Sequence, residues 1–227
     1  EDSLLVLPKK NFFAVADGMG GHYGGEVASN LAVDVLKEKI NKNHALFGED
    51  IPNENMEVFD RILSDVNQKI RDKSAKSKTY NDMGTTVVGL LFFPNTVLSF
   101  HVGDSRNYLL REGKLFQISY DHSWVNEQLR FNRLSTHEAR THKWKNVIMR
   151  AMGGQDIIFP EYSQMDISKG DLFVICSDGL SDMVPDRTLQ KLLNRFEDPQ
   201  EIANILLNEA LKKGGLDNIT IVVVRVV

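Results

Sequence analysis

Residues 85–118 read TTVVGLLFFPNTVLSFHVGDSRNYLLREGKLFQI, and their pattern distinguishes between the possible fold classes. It contains four apolar runs typical of buried or half-buried strands, at 85–93, 97–102, 107–110 and 115–118. The last two runs form a predicted hairpin with Gly113 at its turn. Because no helical pattern separates these strands, they favour antiparallel pairing over strict strand-helix alternation.

The sequence on either side of this stretch supplies further strands and the helices that cover them. Apolar runs at 11–16, 171–176 and 219–227 predict three more strands. Helical spacing of apolar residues predicts helices at about 25–40, 53–71, 186–196 and 199–213. We therefore expect an α+β fold in which helices cover antiparallel sheets, rather than a doubly wound parallel sheet.

Composition limits the class of protein. The chain has 227 residues, of which 42% are hydrophobic, so we expect a single domain over residues 1–227. A formal net charge of −4 gives no basic surface for nucleic acid, and no apolar run approaches the ~20 residues of a membrane span. The single cysteine, Cys176, cannot form an internal disulfide, which favours a cytoplasmic location. Since the chain starts at Glu1 without a methionine, we expect further residues upstream, including a strand.

Aspartates stand at the ends of several predicted strands. Each of these acids has a strand on one side and turn residues or glycines on the other: Asp17, Asp104, Asp178 and Asp217, with Asp2 at the start of the chain. Asp-Gly pairs are also ordinary turn residues, so any one of them has a simpler explanation. Acids at several strand ends can nevertheless meet at one edge of a sheet layer, where a divalent cation would offset their repulsion. An all-oxygen ligand set predicts Mg²⁺ or Mn²⁺ rather than zinc or copper.

Eight segments in fixed order carry a resemblance to a known family. They are EDS (1–3), DGMGGHYGGEVAS (17–29), GTTVVGLLF (84–92), HVGDSRNYLL (101–110), DHSWVNEQL (121–129), NVIMRAMGG (146–154), SDGLSDMV (177–184) and GGLDNIT (214–220). Together they resemble the bacterial branch of the type 2C protein serine/threonine phosphatases, of the metal-dependent protein phosphatase (PPM) family. The resemblance covers essentially the whole chain. It implies an α/β/β/α four-layer sandwich, two antiparallel sheets flanked by helices, with metals in a cleft at one end.

The resemblance also implies roles for individual residues at a binuclear Mn²⁺ or Mg²⁺ centre that activates water for attack on phosphoserine and phosphothreonine. Asp17 would bridge both metals, and the Gly18 carbonyl oxygen would bind one of them. Asp178 and Asp217 would bind the other. Asp17 and Asp178 are thus the expected catalytic acids.

Four further acids have weaker assignments. Asp2 resembles an acid at the metal centre, and Glu1 resembles one that acts through metal-bound water. Asp178 and Asp182 are four residues apart, so a helical turn after the strand would place both on one face. Asp104 and Asp182 match acids that hold a third, more weakly bound cation. The alternative is that Asp182 caps a helix and Asp104 caps a turn.

Two positions depart from the family pattern. An arginine that binds substrate phosphate usually precedes the Glu-Asp pair, and we expect it upstream of Glu1. Eukaryotic members carry a histidine directly after Asp-Gly, where this chain has Met19. His22 is then a candidate general acid, with hydrogen bonding to loop backbone as the alternative. Residues 129–145 resemble the variable flap beside the cleft, and a solvated helix-loop is compatible with that interpretation.

The implied partners are phosphorylated proteins and a cognate serine/threonine kinase, with the phosphatase itself a monomer. Two other functions are alternatives: a catalytically silent pseudophosphatase scaffold, and a phosphatase dedicated to one regulatory partner. The chain retains every matched metal acid, which argues against the first. Cys176 lies in an apolar strand and is expected to be a core residue rather than a nucleophile.

Overall fold

Two antiparallel sheets form the centre of the protein in the computed structural model, which describes residues 1–20, 23–43, 53–76 and 78–227. The strands, in chain order, are β1 Ser3–Leu7, β2 Phe12–Ala16, β3 Gly18–Met19, β4 Gly84–Thr85, β5 Val87–Phe92, β6 Thr96–Val102, β7 Arg106–Arg111, β8 Lys114–Gln117, β9 Glu161–Asp166, β10 Leu172–Cys176 and β11 Ile221–Arg225. One sheet has the order β1-β2-β5-β6-β9 and the other β11-β10-β7-β8. A short ladder joins β3 to β4.

Five of the described helices cover the outer faces of the sheets, and the two short helices α3 and α4 lie beside a cavity at one end. The helices are α1 Gly24–Lys42, α2 Asn53–Ala75, α3 Trp124–Arg130, α4 Thr136–Thr141, α5 Asp178–Ser181, α6 Asp186–Leu193 and α7 Pro199–Lys212, with 3₁₀ turns at Pro8–Lys10 and Lys78–Tyr80. Helices α1 and α2 pack on the five-stranded sheet, where Phe59 of α2 lies 4.6 Å from Phe100 of β6, ring centroid to ring centroid. Helices α5, α6 and α7 pack on the four-stranded sheet. In the described chain, no helix has both the length and the apolar character that crossing a membrane requires.

Strand β10 shows why the two sheets pack face to face. All five of its residues are buried, because both faces of the strand are covered. Successive side chains point to opposite faces of a strand, so alternate residues enter different cores. Leu172, Val174 and Cys176 join the core under helices α5–α7. Phe173 and Ile175 join the core between the sheets, where the Phe173 ring lies 5.2 Å from Phe92 of the other sheet. The apolar cores therefore separate four layers, and the predicted α/β/β/α sandwich is confirmed.

The predicted elements agree with the structure to within a few residues. The hairpin β7-β8 turns at Glu112 and Gly113, whose φ angles of 49° and 76° suit a two-residue turn of type I′. The last strand is shorter than predicted and spans Ile221–Arg225. Strands β1, β3 and β9 and helices α3 and α4 have no counterpart among the elements that the pattern predicted.

Candidate metal centre

Strand pairing within each sheet brings the acids to one end of the sandwich. Asp2 and Asp17 are neighbours because Ser3 of β1 pairs with Ala16 of β2. Asp178 follows β10 and Asp217 precedes β11, and Cys176 pairs with Ile221. Asp104 lies in the connection from β6 of the first sheet to β7 of the second. Acids from both sheets thus meet at this end.

Electrostatic coupling shows that the two groups of acids share one site. Burial raises the pKa of Asp17, and the negative charges of Asp178, Asp2 and Asp104, in that order, raise it further. The Asp17 and Asp178 carboxyls are close enough to share a hydrogen bond. Only one of them is therefore expected to be ionised readily when no cation is present.

Asp182 and Asp217 belong to the same cluster. Burial is the largest cause of the raised pKa of Asp178, and the negative charges of Asp182 and Asp217 raise that pKa further. Asp182 ends the single turn of α5, and its N–H donates to the Asp178 carbonyl oxygen over 2.8 Å. The predicted helical turn therefore exists, and Asp182 stands at its C-terminal end rather than at an N-cap.

Three carboxylate oxygens of the cluster are buried without a hydrogen-bond partner in the described chain: Asp2 Oδ2, Asp104 Oδ1 and Asp178 Oδ1. Buried polar atoms are rarely left unpaired, and an unpaired carboxylate is especially unfavourable. Divalent cations that prefer oxygen ligands would satisfy all three atoms. The residues present therefore fit a Mg²⁺ or Mn²⁺ centre.

Gly18 is required by close backbone packing beside the acids. A Cβ atom at Gly18 would collide with the carbonyl oxygen of Gly25 in α1 and would lie 2.7 Å from that of Glu1. The Glu1 carboxylate lies against Gly25, where a Cβ would meet its Oε2 atom. Glu1 is thus next to the loop that carries Gly18.

Two threonines, which the sequence did not single out, hold Asp17 in place. The Thr85 hydroxyl and the Thr86 N–H each donate to the Asp17 carbonyl oxygen over 2.8 Å. The Asp17 N–H donates to Thr86 Oγ1 over 3.0 Å, and that hydroxyl is 2.7 Å from Ser105 Oγ. Since Ser105 adjoins Asp104, Thr86 links two of the acids.

His122 holds the turn before Asp104. Its ring Nδ1 accepts from the backbone N–H of Gly103 over 3.1 Å. The backbone N–H of His122 donates to the Gly103 carbonyl oxygen over 2.9 Å. Gly103 has φ +110°, and a Cβ there would lie 2.6 Å from Thr86. Burial lowers the pKa of His122 to about 4, so its ring is neutral at neutral pH.

The described residues contain a second group with metal-ligating side chains, His101, His122 and Glu161, whose ligand atoms lie within 4.8 Å of one another. Hydrogen bonding argues against a metal there. Because Nδ1 of neutral His122 accepts from Gly103, its proton sits on Nε2, which faces Glu161 Oε1 at 3.2 Å. His101 Nε2 lies 2.7 Å from the Tyr120 carbonyl oxygen and 3.2 Å from the Tyr120 backbone nitrogen, so backbone groups already engage this ring nitrogen. This group therefore supports the Asp104 turn.

A cavity of about 410 Å³ opens beside the acids, between the centre and helices α3 and α4. Asp104, Asp178, Asp182 and Lys145 are among the residues that line it. Lys145 Nζ lies 2.9 Å from Asp182 Oδ2. The flap, residues 129–145, therefore borders the acidic centre.

Cys176 and the loop after Asp17 also carried sequence predictions. Cys176 is fully buried and burial raises its pKa to about 12, which confirms a core residue without nucleophilic character. His22, the candidate general acid, lies outside the described residues. Met19, by contrast, is described and pairs with Gly84 in the β3-β4 ladder.

Comparison with known proteins identifies the family. The family model described as "Protein phosphatase 2C" matches residues 1–213. The chain is 36% identical over 212 residues to the serine/threonine phosphatase stp of Listeria monocytogenes serotype 4b, covering 93% of this chain and 82% of that protein. Its structure resembles Stp1 from Staphylococcus aureus, with a TM-score of 0.90, 29% identity and coverage of 100% and 89% of the two chains. It also resembles the catalytic domain of PstP in complex with two manganese ions, with a TM-score of 0.85, 35% identity and coverage of 98% and 89%.

Proposed function

The chain belongs to the protein phosphatase 2C family, and from this premise we propose that its acidic centre performs the hydrolysis of phosphoserine and phosphothreonine in phosphorylated proteins. The protein is a metal-dependent serine/threonine phosphatase that uses Mn²⁺ or Mg²⁺. The observation that carries the assignment of the centre is the group of three buried, unpaired carboxylate oxygens on Asp2, Asp104 and Asp178.

Each acid has a proposed role at this centre. Asp17, which lies close to acids of both sheets, would be shared between two cations, and the Gly18 carbonyl oxygen would be a further ligand of one of them. Asp178 and Asp217, from the ends of β10 and β11, bind the other. Asp2 contributes its unpaired oxygen atom to the centre.

The outer acids and Glu1 have supporting roles in this proposal. Asp104 and Asp182 hold a third and weaker cation, since both line the cavity and Asp104 has an unpaired oxygen atom. Glu1 acts next to the Gly18 carbonyl through water. His22 is the proposed general acid.

Bound divalent cations supply a water of lowered pKa near neutral pH and offset the negative charge of phosphoryl oxygens. The chain's own residues make this possible by keeping several carboxylates fixed at one place. Thr85 and Thr86 fix the Asp17 backbone, and His122 fixes the turn before Asp104. Positioning of this kind is the main protein contribution in phosphoryl transfer.

The cavity beside the acids is the proposed entrance for a phosphorylated side chain. Its volume of about 410 Å³ exceeds what a single side chain needs, and the flap borders it. We further propose that the chain is a single catalytic domain over residues 1–227, that it works as a monomer in the cytoplasm, and that its substrates are made by a cognate serine/threonine kinase. The single buried cysteine is consistent with a reducing compartment.

The two other functions have less support. A silent scaffold would have no use for buried, mutually repelling acids, which destabilise a fold when no cation is bound. No described feature favours a single dedicated partner over phosphoproteins in general.

Hydrolysis of p-nitrophenyl phosphate and of a phosphothreonine peptide, with Mn²⁺ or with EDTA, tests the proposed centre. Asp17→Asn should lower turnover by at least about 10²-fold, because it removes the acid coupled to both sheets. EDTA should abolish activity, and Mn²⁺ should restore it. Asp34→Asn, an exposed position on α1, is the matched control and should keep wild-type turnover. Full activity of Asp17→Asn, or full activity in EDTA, would contradict the proposed centre.

A further inference from the structure

The segment NVIMRAMGG, residues 146–154, carries part of the family resemblance but contains no acid of the centre. It contacts β4 through Met152, which is fully buried. The Thr85 backbone N–H donates to the Met152 carbonyl oxygen over 3.0 Å, and the Met152 backbone N–H donates to the Thr85 carbonyl oxygen over 2.8 Å. The segment is therefore a further backbone partner of the ladder that holds Asp17.

Asn67 of α2 holds the end of this segment. Its side chain is buried, and its Oδ1 atom accepts from the Gly153 backbone N–H over 2.7 Å. Its Nδ2 atom donates to the carbonyl oxygens of Gln155 and Asp156 over 2.9 Å and 3.3 Å. A side-chain amide suits this position because it offers an acceptor and two donors at once. One buried side chain thus engages three backbone groups of residues 153–156.

Gly153 brings the segment into direct contact with α2. Its φ angle of +88° lies in the region that favours glycine. A Cβ atom there would lie 2.4 Å from Ile70 Cγ2, on the same helix as Asn67, and 3.0 Å from the Met83 carbonyl oxygen. The backbone at Gly153 is therefore packed closely, and its position depends on that of α2.

Three consecutive contacts connect Asn67 to Asp17. The first joins Asn67 to Gly153. The second joins Met152, the preceding residue, to Thr85 through two backbone hydrogen bonds. In the third, the Thr85 hydroxyl donates to the Asp17 carbonyl oxygen over 2.8 Å. The backbone position of Asp17 is therefore coupled to α2 through groups that are distant in sequence.

The alternative is that Asn67 only satisfies the polar groups of a surface loop. Gln155 and Asp156 are exposed residues, and exposed loop carbonyls can bond to water instead. The contact with Gly153 differs, because Gly153 adjoins the buried Met152 and packs on α2. This contact favours a role in fixing the segment rather than in solvating the loop.

We propose that Asn67 is a positioning residue for Asp17, which acts through residues 152–153 and Thr85 and thereby sets the affinity of the centre for its divalent cations. The proposal rests on the proposed function of the acidic centre. Residues that hold metal ligands in place change metal affinity even though they do not touch the metal.

Calorimetric titration with Mn²⁺ tests the connection, at a temperature at which every variant is folded. Asn67→Ala should bind Mn²⁺ about ten-fold more weakly than wild type, the lower end of the range for partners of metal ligands. Thr85→Val should also bind it more weakly, because it removes the hydroxyl that holds Asp17. The double variant should bind Mn²⁺ about as weakly as the weaker single variant, because both changes interrupt one path.

Phe59→Leu is the matched control, because Phe59 is a buried residue of α2 whose ring packs on Phe100. It should lower the melting temperature and keep wild-type Mn²⁺ affinity. Asn67→Ser, whose hydroxyl is too short to replace the amide and leaves room for a water, gives the same test if Asn67→Ala does not fold.

Wild-type Mn²⁺ affinity in the folded Asn67 variant, or an equal loss in Phe59→Leu, would overturn the positioning role while the phosphatase assignment stands. Additive losses in the double variant would overturn the path through Thr85. Absence of any Mn²⁺ binding in wild type would overturn the proposed centre as well.

Discussion

Burial raises the pKa of Asp104 to about 7, and the charge of Asp178 acts in the same direction. Burial is also the largest cause of the raised pKa values of Asp17 and Asp178. In metal-free protein these oxygen atoms therefore bind protons more readily than ordinary carboxylates do. Protons and cations then compete for the same atoms, and the binding of cations to this centre should release protons.

His122 and His22 have different roles. His122 is neutral and buried, and it holds the Gly103 turn through both its ring and its backbone. A proton donor must instead change its charge during the reaction and reach the leaving group. Of the histidines in the family-like segments, His22 in the glycine-rich loop is the one proposed for that role.

His22→Ala tests the general acid. We expect it to slow hydrolysis of a phosphoserine peptide by about 10²-fold or more, because the serine alkoxide is a poor leaving group that needs a proton. Hydrolysis of p-nitrophenyl phosphate should change much less, because its leaving group is stable without one. Steady-state kinetics on both substrates measures the difference. His137→Ala, at an exposed position of α4, is the control, and an equal loss on both substrates would assign His22 a structural role.

Among the secondary-structure elements, the short ladder of β3 and β4 fixes the position of Asp17 directly after β2. The segment around β4 contacts Asp17 through two hydroxyls and one N–H, although 69 residues separate Asp17 from Thr86. Gly18 pairs with Thr85 in the same ladder. The position of the bridging acid therefore depends on a hydrogen-bonded partner from a distant part of the chain.

Thr86→Val tests this dependence. The substitution keeps the shape of the side chain but leaves the Asp17 N–H without its acceptor, so the free energy of unfolding should fall by about 1–3 kcal/mol. Mn²⁺ affinity should fall as well, because Asp17 loses a contact that fixes it. Urea unfolding and calorimetry measure the two effects. Thr96→Val is the control, because Thr96 is the first residue of β6 and Asp104 follows the other end of that strand. Unchanged Mn²⁺ affinity in Thr86→Val would show that the ladder does not position the centre.

Most elements that face an apolar core were predictable from the sequence. The pattern predicted β2, β5, β6, β10 and α1 because each has a sustained apolar face. Strand β9 was missed because its sequence EYSQMD is mostly polar, and it owes its place to backbone pairing with β6 along six residues. Helices α3 and α4, of seven and six residues, are too short for a periodic pattern to be recognised.

The site was predictable where local sequence carries the information and not where tertiary contacts do. Asp17 and Asp178 precede glycines at strand ends, so their position could be inferred from the chain alone. Thr86 looked like the start of an apolar strand, and His122 carried no separate signal. Their roles depend on hydrogen bonds to Asp17 and Gly103 that only the folded chain creates.

At the scale of the whole molecule, the acidic centre spans the two sheets. Asp2 and Asp17 adjoin strands of the five-stranded sheet, whereas Asp178 and Asp217 adjoin strands of the four-stranded sheet. Their mutual repulsion opposes the packing of the sheets at this end. A cation held by acids from both sheets would connect them, so metal should bind the folded state in preference to the unfolded state.

The final prediction is that Mn²⁺ raises the melting temperature, and does so more strongly as pH rises. Saturation at about 100 times the dissociation constant adds about 2.7 kcal/mol, or roughly 5–11 °C for a chain of this size. The acids set the sign of the pH effect, because folding raises their pKa values above 3.8. In metal-free protein the free energy of unfolding therefore falls as pH rises from about 4 through the folded pKa values. Bound Mn²⁺ removes that loss.

Two histidines act in the opposite direction and must be separated from this effect. Burial lowers the pKa values of His101 and His122 below 6.5, so the fold loses stability as pH falls below that value, with or without metal. The difference in melting temperature with and without Mn²⁺ cancels their contribution. Calorimetric melting at about pH 5.5 and pH 7.5 should therefore show a larger Mn²⁺ effect at the higher pH. Asp34→Asn should behave like wild type and Asp178→Asn should lose most of the effect, whereas a Mn²⁺ effect independent of pH would show that protons and cations do not compete at the buried acids.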